Sequence, residues 1–328
     1  MSERKAATIG DVAREAGVSR QTVSNVVNSP HVVKESTRLK VQAAIAALGY
    51  SPNALARRLR TQRTSTIAVK LDPYSGGISG VVLDRFVHAL TESAAARGLR
   101  VLLYAARTLD EELRDLDQLA DAGEVDAIVL TGTSRGDRRA ERLLERGVPF
   151  AAFGRPWGTD AAAHPWVDID GAAGTRAATA HLLDRAGDRI AFLGWPADSE
   201  SGNDRERGWR EAMGERTAPR LTAEDGVAQG QEAVKALLPD LDGLVCASDA
   251  LAIGAHLAAV QAGRPELPVV GFDNTAAAEA LGISSVEQLP ERVAAGILEM
   301  LMGPEGNKVA DPAPQPTGLL VEPRLIIR

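Results

Sequence analysis

The sequence predicts a small all-α head, a linking helix, and a larger two-lobe α/β body built on parallel sheets. Three observations predict it. Charge is unevenly divided: residues 1–64 hold 11 Lys and Arg against 4 Asp and Glu, and the rest of the 328 residues hold 26 against 40. The first 50 residues show helical spacing of apolar positions, punctuated by single glycines. From about Thr64, continuous apolar runs recur roughly every 30 residues, with amphipathic stretches between them.

The head comes first. In TIGDVAREAGVSRQTVSNVVN (Thr8 to Asn28), Thr8 followed by Asp11 is a capping-box pattern that starts a helix at Ile9. Val12, Ala13 and Ala16 fall on one face, and Gly17 ends the helix because it tolerates a positive φ. Ser19 then caps a second helix, which turns Val23, Val26 and Val27 inward. A third helix carries Val41, Ala44, Ile45 and Leu48 on one face and stops at Gly49. Two short helices joined at a glycine, the second polar outward, form a helix-turn-helix. In such a motif the start of the second helix reaches base edges in the major groove. Arg20, Gln21 and Asn25 are therefore the candidate base contacts, since arginine suits guanine and amides suit adenine. Thr8, Ser19, Thr22, Ser24 and Asn28 are candidate phosphate contacts that set register. A phosphate contact remains open for Arg20 as well.

SPNALARRLRTQR, from Ser51 to Arg63, reads as a short hinge helix with four arginines. A helix this short is marginal in water, and its charges repel. Leu55 and Leu59 share a face with Ala56 beside them. Two such helices could pair through Leu55 and Ala56 and drive Leu59 into the minor groove, where an apolar wedge unstacks a base step. Asn53 is grouped with them. The alternative is that Leu59 packs on the body.

The body divides into two strand series. TIAVKL (66–71), LRVLLY (99–104), DAIVL (126–130) and PFAAF (149–153) form the first; DRIAFLG (188–194), DGLVCAS (242–248), PVVGFD (268–273) and SSVEQ (284–288) form the second. Ligands in such folds sit beyond the carboxyl ends of strands. The polar residues found there are Asp72, Tyr74, Arg155, Trp195, Asp249 and Asp273, with Gln288 on a crossover between lobes. Carboxylates, arginines and amides bind vicinal hydroxyls, and an aromatic face stacks on a sugar ring. Asp249 and Asp273 each precede a helix, so N-capping is the competing role.

The stretch from Thr8 to Asn28, followed by TRLKVQAAIAALGYSPNALARRLRTQRT, resembles the DNA-binding head and hinge of the lactose/galactose repressor (LacI/GalR) family. VDIDGAAGTRAATAHLLDRAGDRIAFLG, DRERGWREAM, ASDALAIGAHLA and VVGFDNTAAAEALG are similar to the effector-domain motifs of that family. The resemblance implies a periplasmic-binding-protein-like body and a homodimer on a pseudo-palindromic operator. It implies that Leu59 is the wedge at a central pyrimidine–purine step, the kind that deforms most easily. It also implies effector contacts from Arg205, Asp273, Ser248 and Gln288. Two positions depart from the family pattern: Ser248 stands where Asn is frequent, and Gly187-Asp188 where Gly-His is frequent. The first departure bears on ligand identity.

The expected organisation is a headpiece over 1–50, a hinge over 51–64 and an effector-binding and dimerisation domain over 65–328. Its first lobe is placed at about 65–165 plus 288–318, its second at about 166–287 plus 319–328. GLLVEPRLIIR reads as two short strands split by Pro323, after a Pro-rich loop (311–318). No leucine heptad follows, which favours a dimer. One cysteine, Cys246, excludes an internal disulfide and a cysteine-cluster metal site. No cofactor or metal is expected. Without an apolar run of about 18 residues or a signal-like N-terminus, a cytoplasmic protein outside the membrane is expected.

The partners expected are therefore double-stranded operator DNA and a small effector. An enzyme lacks support, because the five histidines are scattered and no phosphate-loop, dinucleotide or nucleophile-elbow motif occurs. A two-lobe soluble sugar-binding protein fits the body and not the basic head. A sugar inducer is favoured over a purine-type corepressor, since aromatic residues make up only 4% of the chain.

Leu59→Ala is expected to lose most specific operator affinity while the head stays folded; binding equal to wild type would rule out the wedge. Arg20→Ala should cost about 1–3 kcal/mol at one base position per half-site. Gel shifts on single-position operator variants measure this, and a uniform loss on all sequences would make Arg20 a phosphate contact.

Overall fold

Thr8 opens the first helix as its sequence pattern requires. Its hydroxyl accepts the Asp11 N–H at 3.3 Å, and the Asp11 carboxylate accepts the Thr8 N–H at 2.9 Å. The computed structural model describes residues 7–28, 32–50, 63–71, 80–158, 164–302, 309 and 318–328. The expectations for Asn53, Leu55, Ala56 and Leu59 in the hinge, and for Asp72 and Tyr74, lie outside the described residues. The chain divides between Thr64 and Ser65.

In the head, α1 (Ile9–Ala16) ends at Gly17, whose φ of 67° is left-handed. The next N–H, of Val18, returns to the Ala13 carbonyl at 3.0 Å and closes the end. Ser19 caps α2 (Arg20–Asn28) by accepting the Thr22 N–H at 3.0 Å. With α3 (Glu35–Leu48) these helices bury Val12, Ala13, Val23, Val26, Val41 and Ala44, while Ile9, Val18 and Ile45 pack at the edge. Leu48 departs from its expected inward place. It is 37% exposed, because the last turn of α3 runs past the small core.

Among the described residues the body contains two six-stranded sheets. The strands of the first are β1 (Thr66–Lys70), β2 (Arg100–Tyr104), β3 (Ala127–Thr131), β4 (Phe150–Phe153), β5 (Trp166–Ile169) and β11 (Gly318–Val321), in the order β11-β5-β4-β3-β1-β2. Those of the second are β6 (Ile190–Gly194), β7 (Arg220–Thr222), β8 (Gly243–Cys246), β9 (Val269–Phe272), β10 (Ser284–Glu287) and β12 (Arg324–Ile326), ordered β12-β10-β9-β8-β6-β7. Every pairing is parallel except β10 with β12. Helices cover both faces, as buried parallel sheets require. On the first sheet, α4 (Val81–Ala96) and α12 (Pro290–Leu301) bury Phe86, Leu90, Ile297 and Leu301 on one side. On the other side, α5 (Leu109–Asp121) and α6 (Arg138–Glu145) bury Leu116 and Leu143. The second sheet is flanked by α7 (Gly171–Arg185), α8 (Glu200–Met213), α9 (Val227–Val234), α10 (Asp249–Gln261) and the short α11 (Ala276–Ala280).

The chain crosses between the sheets three times: from β5 into α7, from β10 into α12, and from β11 into β12. These crossings correct the expected lobe limits. Trp166–Ile169 belongs to the first sheet, paired with β4 and β11, and residues 319–321 belong there too. Pro323 has no N–H for a ladder, so it splits the last strand pair. Its two halves then go to different sheets. WVDI (β5) and RLT (β7) lie outside the two predicted strand series, because each is short and carries polar residues.

Candidate functional site

On the head, Arg20 and Gln21 stand exposed on the first turn of α2. Gln21 Nε2 donates to Asn25 Oδ1 at 3.0 Å, so the two amides lie as one unit one turn apart. Gly10 leaves room for Arg20: a Cβ there would come within 3.1 Å of the guanidinium. The Ser19 and Thr22 hydroxyls lie 2.9 Å apart, and Thr8 is engaged in its capping box. Ser24 is half-buried on α2, and Asn28 closes that helix. Thr8, Ser19 and Thr22 thus order the helix starts.

In the body, a cavity of about 280 Å³ opens where the carboxyl ends of the first sheet meet α7 and α8. From the first lobe it is walled by Val82, Leu83, Thr131, Thr133, Phe153, Trp157 and Asp168; from the second by Ser201, Asp204 and Arg205, with Gln288 at a crossing. Arg155 ties the two sides. Its Nε donates to Asp168 at 2.6 Å, and Nη2 donates to the Ile169 carbonyl at 2.7 Å and reaches Asp204 at 3.4 Å. A second tie runs from Arg135 to Glu200 at 3.2 Å.

Arg205 is buried, only 7% exposed. Its guanidinium packs on the Phe272 ring at 3.8 Å and on Trp195 at 4.9 Å, and donates to the Ala247 carbonyl. Its counter-charge is Asp273, at 3.9 Å. Burial pulls the Arg205 pKa down. Burial likewise drives the Asp273 carboxyl up to about 7, against the pull of Arg205. Gln288 Nε2 donates to Asp273 at 2.5 Å. Asp168 is also raised by burial, opposed by Arg155.

The structure therefore brings together Arg155, Arg205, Asp273 and Gln288, with Trp195 supporting Arg205. Asp249 is corrected. It is fully buried, its carboxylate accepting the Thr275 N–H at 2.6 Å, the Thr275 hydroxyl at 2.8 Å and the Ser285 hydroxyl at 2.6 Å. These bonds tie the loop after β9 to β10, so the Asp249 carboxylate is engaged within the fold and lies outside the cavity wall. Ser248 is spent similarly: it caps α10 and donates to Asp225 at 2.5 Å. The helix caps are thus Ser248 and Thr275, not Asp249 and Asp273.

Sequence reasoning missed Asp168, Asp204 and Trp157. Each had a signal. Asp168 lies inside the WVDI run, Asp204 adjoins Arg205 in DRERGW, and Trp157 is an aromatic two residues past Arg155 in a strand-end loop. The cavity wall carries Arg205, Asp168, Asp204 and the Gln288 amide beside Phe153 and Trp157, and Arg155 and Asp273 bond to that wall from outside the lining, so the wall and its immediate partners hold two arginines and three aspartates. Its charges nearly balance, which suits a neutral polyhydroxyl ligand better than an anion. Among the described residues, no cluster of His, Cys, Asp or Glu could hold a metal, and no helix is long and apolar enough to cross a membrane.

Residues 8–53 match the family described as bacterial regulatory proteins, lacI family. Residues 179–328 match the periplasmic binding protein-like domain. The HTH-type transcriptional regulator CelR of Thermobifida fusca is 33% identical, over 100% of this chain and 99% of its own length. Among solved structures, a complex of the transcriptional regulator CelR with cellobiose is 29% identical, with a TM-score of 0.69 over 98% of this chain and 99% of that one. The lac repressor dimer bound to operator and the anti-inducer ONPF is 23% identical, and its TM-score of 0.78 over 98% of both chains shows a common fold.

Asp273 carries a pH signature. Its pKa of about 7 in the folded chain lies above its ordinary 3.8, so between those values the native state holds a proton that the unfolded chain has released. Wild type should therefore lose stability relative to Asp273→Asn as pH rises from about 5 to 7, and the gap should level off above that. Paired thermal melts across this range test it; a constant gap would mean that Asp273 is ionised throughout.

Proposed function

Because the chain belongs to the LacI family of bacterial regulatory proteins, we propose that it is an operator-binding transcriptional repressor released by a small sugar. The observation that carries the reading is the charge-balanced cleft between the lobes, closed over Arg155, Asp168, Asp204 and Arg205. A neutral sugar meets such a wall through paired hydrogen bonds to carboxylates and guanidinium edges, and through its C–H face on an aromatic ring. The CelR relative solved with cellobiose supports a sugar ligand. The basic head, with Arg20, Gln21 and Asn25 on α2, supports direct readout of operator bases. A homodimer would place two such heads on the half-sites of a pseudo-palindrome, with the paired hinge residues Asn53, Leu55, Ala56 and Leu59 at its centre. Operator binding sets the site of action in the cytoplasm.

A ligand changes operator affinity only through different affinities for two lobe arrangements. The ties that cross the cleft are the groups it would compete with or reinforce. A sugar that favours the arrangement separating the hinges is an inducer; a purine-type corepressor would act in the opposite sense.

Operator release measured by fluorescence polarisation against panels of sugars and purines tests the reading. Arg205→Ala and Asp273→Ala should still bind operator and ignore the inducer, shifting its effective concentration by at least about tenfold. Normal induction of both variants would remove these residues from the site. Operator binding strengthened by purines, with no response to sugars, would reverse the sign of regulation.

A further inference from the structure

Arg155 and Arg135 each join the lobes across the cleft, and the two joins differ in kind. Arg155 works beside a crossing. Its guanidinium bonds Asp168, the Ile169 carbonyl and Asp204, where β5 runs into α7. Asp204 in turn accepts the Ala172 N–H at 3.2 Å and a bond from Arg207 at 2.6 Å. The Arg155, Asp168 and Asp204 side chains are at most 17% exposed. This cluster is held by more than the charge that crosses the gap.

Arg135 stands on the loop after β3, and β3 is two strands from β5 in the sheet. Its Nε donates to Glu200 Oε1 at 3.2 Å, and Glu200 is the first residue of α8. Neither side chain has another hydrogen-bond or ion-pair partner among the described residues. Both are close to the cleft wall in the chain: Thr133 is two residues before Arg135, and Ser201 follows Glu200. The Arg135 guanidinium also rests on the loop after β4. It lies against Gly158, where any Cβ would collide with it. Gly158, with φ of 82°, follows the wall residue Trp157. One side chain thus touches the loop after β3, the loop after β4 and the start of α8, and each of these carries a wall residue.

Arg135 is 67% exposed and Glu200 24%. A pair this open is screened by salt and adds little to the stability of the whole chain. Its position gives it a different effect. A contact made only when two lobes are together biases their balance by its full free energy, however small.

We propose that Arg135 and Glu200 form a salt-sensitive latch that holds the lobes together over the cleft in the ligand-free chain. The Arg155 cluster is the pivot and stays made when the latch opens. The cleft then opens on the side of Thr133, Trp157 and Ser201, whatever ligand it takes.

Amide hydrogen exchange of the full chain without ligand, read by mass spectrometry, tests the latch. At low ionic strength Arg135→Gln should speed exchange about two- to fivefold in residues 153–158 and 199–205, on opposite sides of the cleft. Glu200→Gln should give the same pattern, and the double variant no more than either single one. Salt at about 0.5 M should bring wild type to the level of the variants. Residues 7–28 of the head should exchange alike in all four proteins. Glu200 also starts a helix, where a negative charge is favourable. Fraying of α8 alone would follow from Glu200→Gln and not from Arg135→Gln, and that outcome overturns the latch. Exchange in Arg135→Gln equal to wild type, faster exchange confined to the substituted segment, additive effects in the double variant, or wild-type exchange indifferent to salt overturns it equally.

Discussion

A guanidinium withdrawn from water needs an opposite charge and hydrogen-bond acceptors close at hand, and Arg205 obtains both from strands of one sheet. Asp273 follows β9, the Ala247 carbonyl follows β8, and the aromatic rings that sandwich the charge come from Phe272 and Trp195 after β6. An isolated charge at this depth would cost several kcal/mol. The carboxyl ends of three adjacent strands therefore have to stay in register around it. The same requirement positions Gln288 through Asp273, and Gln288 stands at a crossing between lobes. The ligand wall and the lobe connection thus share one electrostatic constraint.

The first lobe answers with its own buried charges. Arg139 is held by Glu112 at 2.9 Å and by Asp137 at 2.6 Å, and it also donates to the carbonyls of Thr131 and Gly132. Lys70 joins Glu112 at 3.0 Å. This network pins the ends of β1 and β3 just behind the cleft. The gap between these lobes is crossed by a few ionic ties, Arg155 to Asp204 and Arg135 to Glu200.

How much of this was legible in the sequence follows from the range of the interactions. The head was readable almost in full, because its caps and turns are made within a few residues: Thr8 with Asp11, Ser19 with Thr22, Gly17 at a forced left-handed φ. Val27 and Leu48 fall outside the packed core, since helical periodicity does not say how far the core extends. In the body, ten of the twelve strands were readable, the short β11 and β12 among them, and β5 and β7 were not. β5 owes its strand form to its neighbours β4 and β11, which lie on either side of it in the sheet. The candidate site was half legible. A strand-end aspartate looks the same whether its carboxylate faces a cleft or a neighbouring loop, and that is why Asp249 and Asp273 could not be separated. Asp168 was hidden because its strand was.

The split at Pro323 has a consequence for the order of assembly. β11 completes the first sheet beside β5, and β12 completes the second beside β10, yet both come from one short segment far downstream of the strands they cover. On a ribosome, both sheets would wait with open edges until that segment emerged. Unpaired edges invite strand exchange with other chains. The segment would then supply the outermost strand of both sheets in one event, so that completion of one lobe is tied to completion of the other.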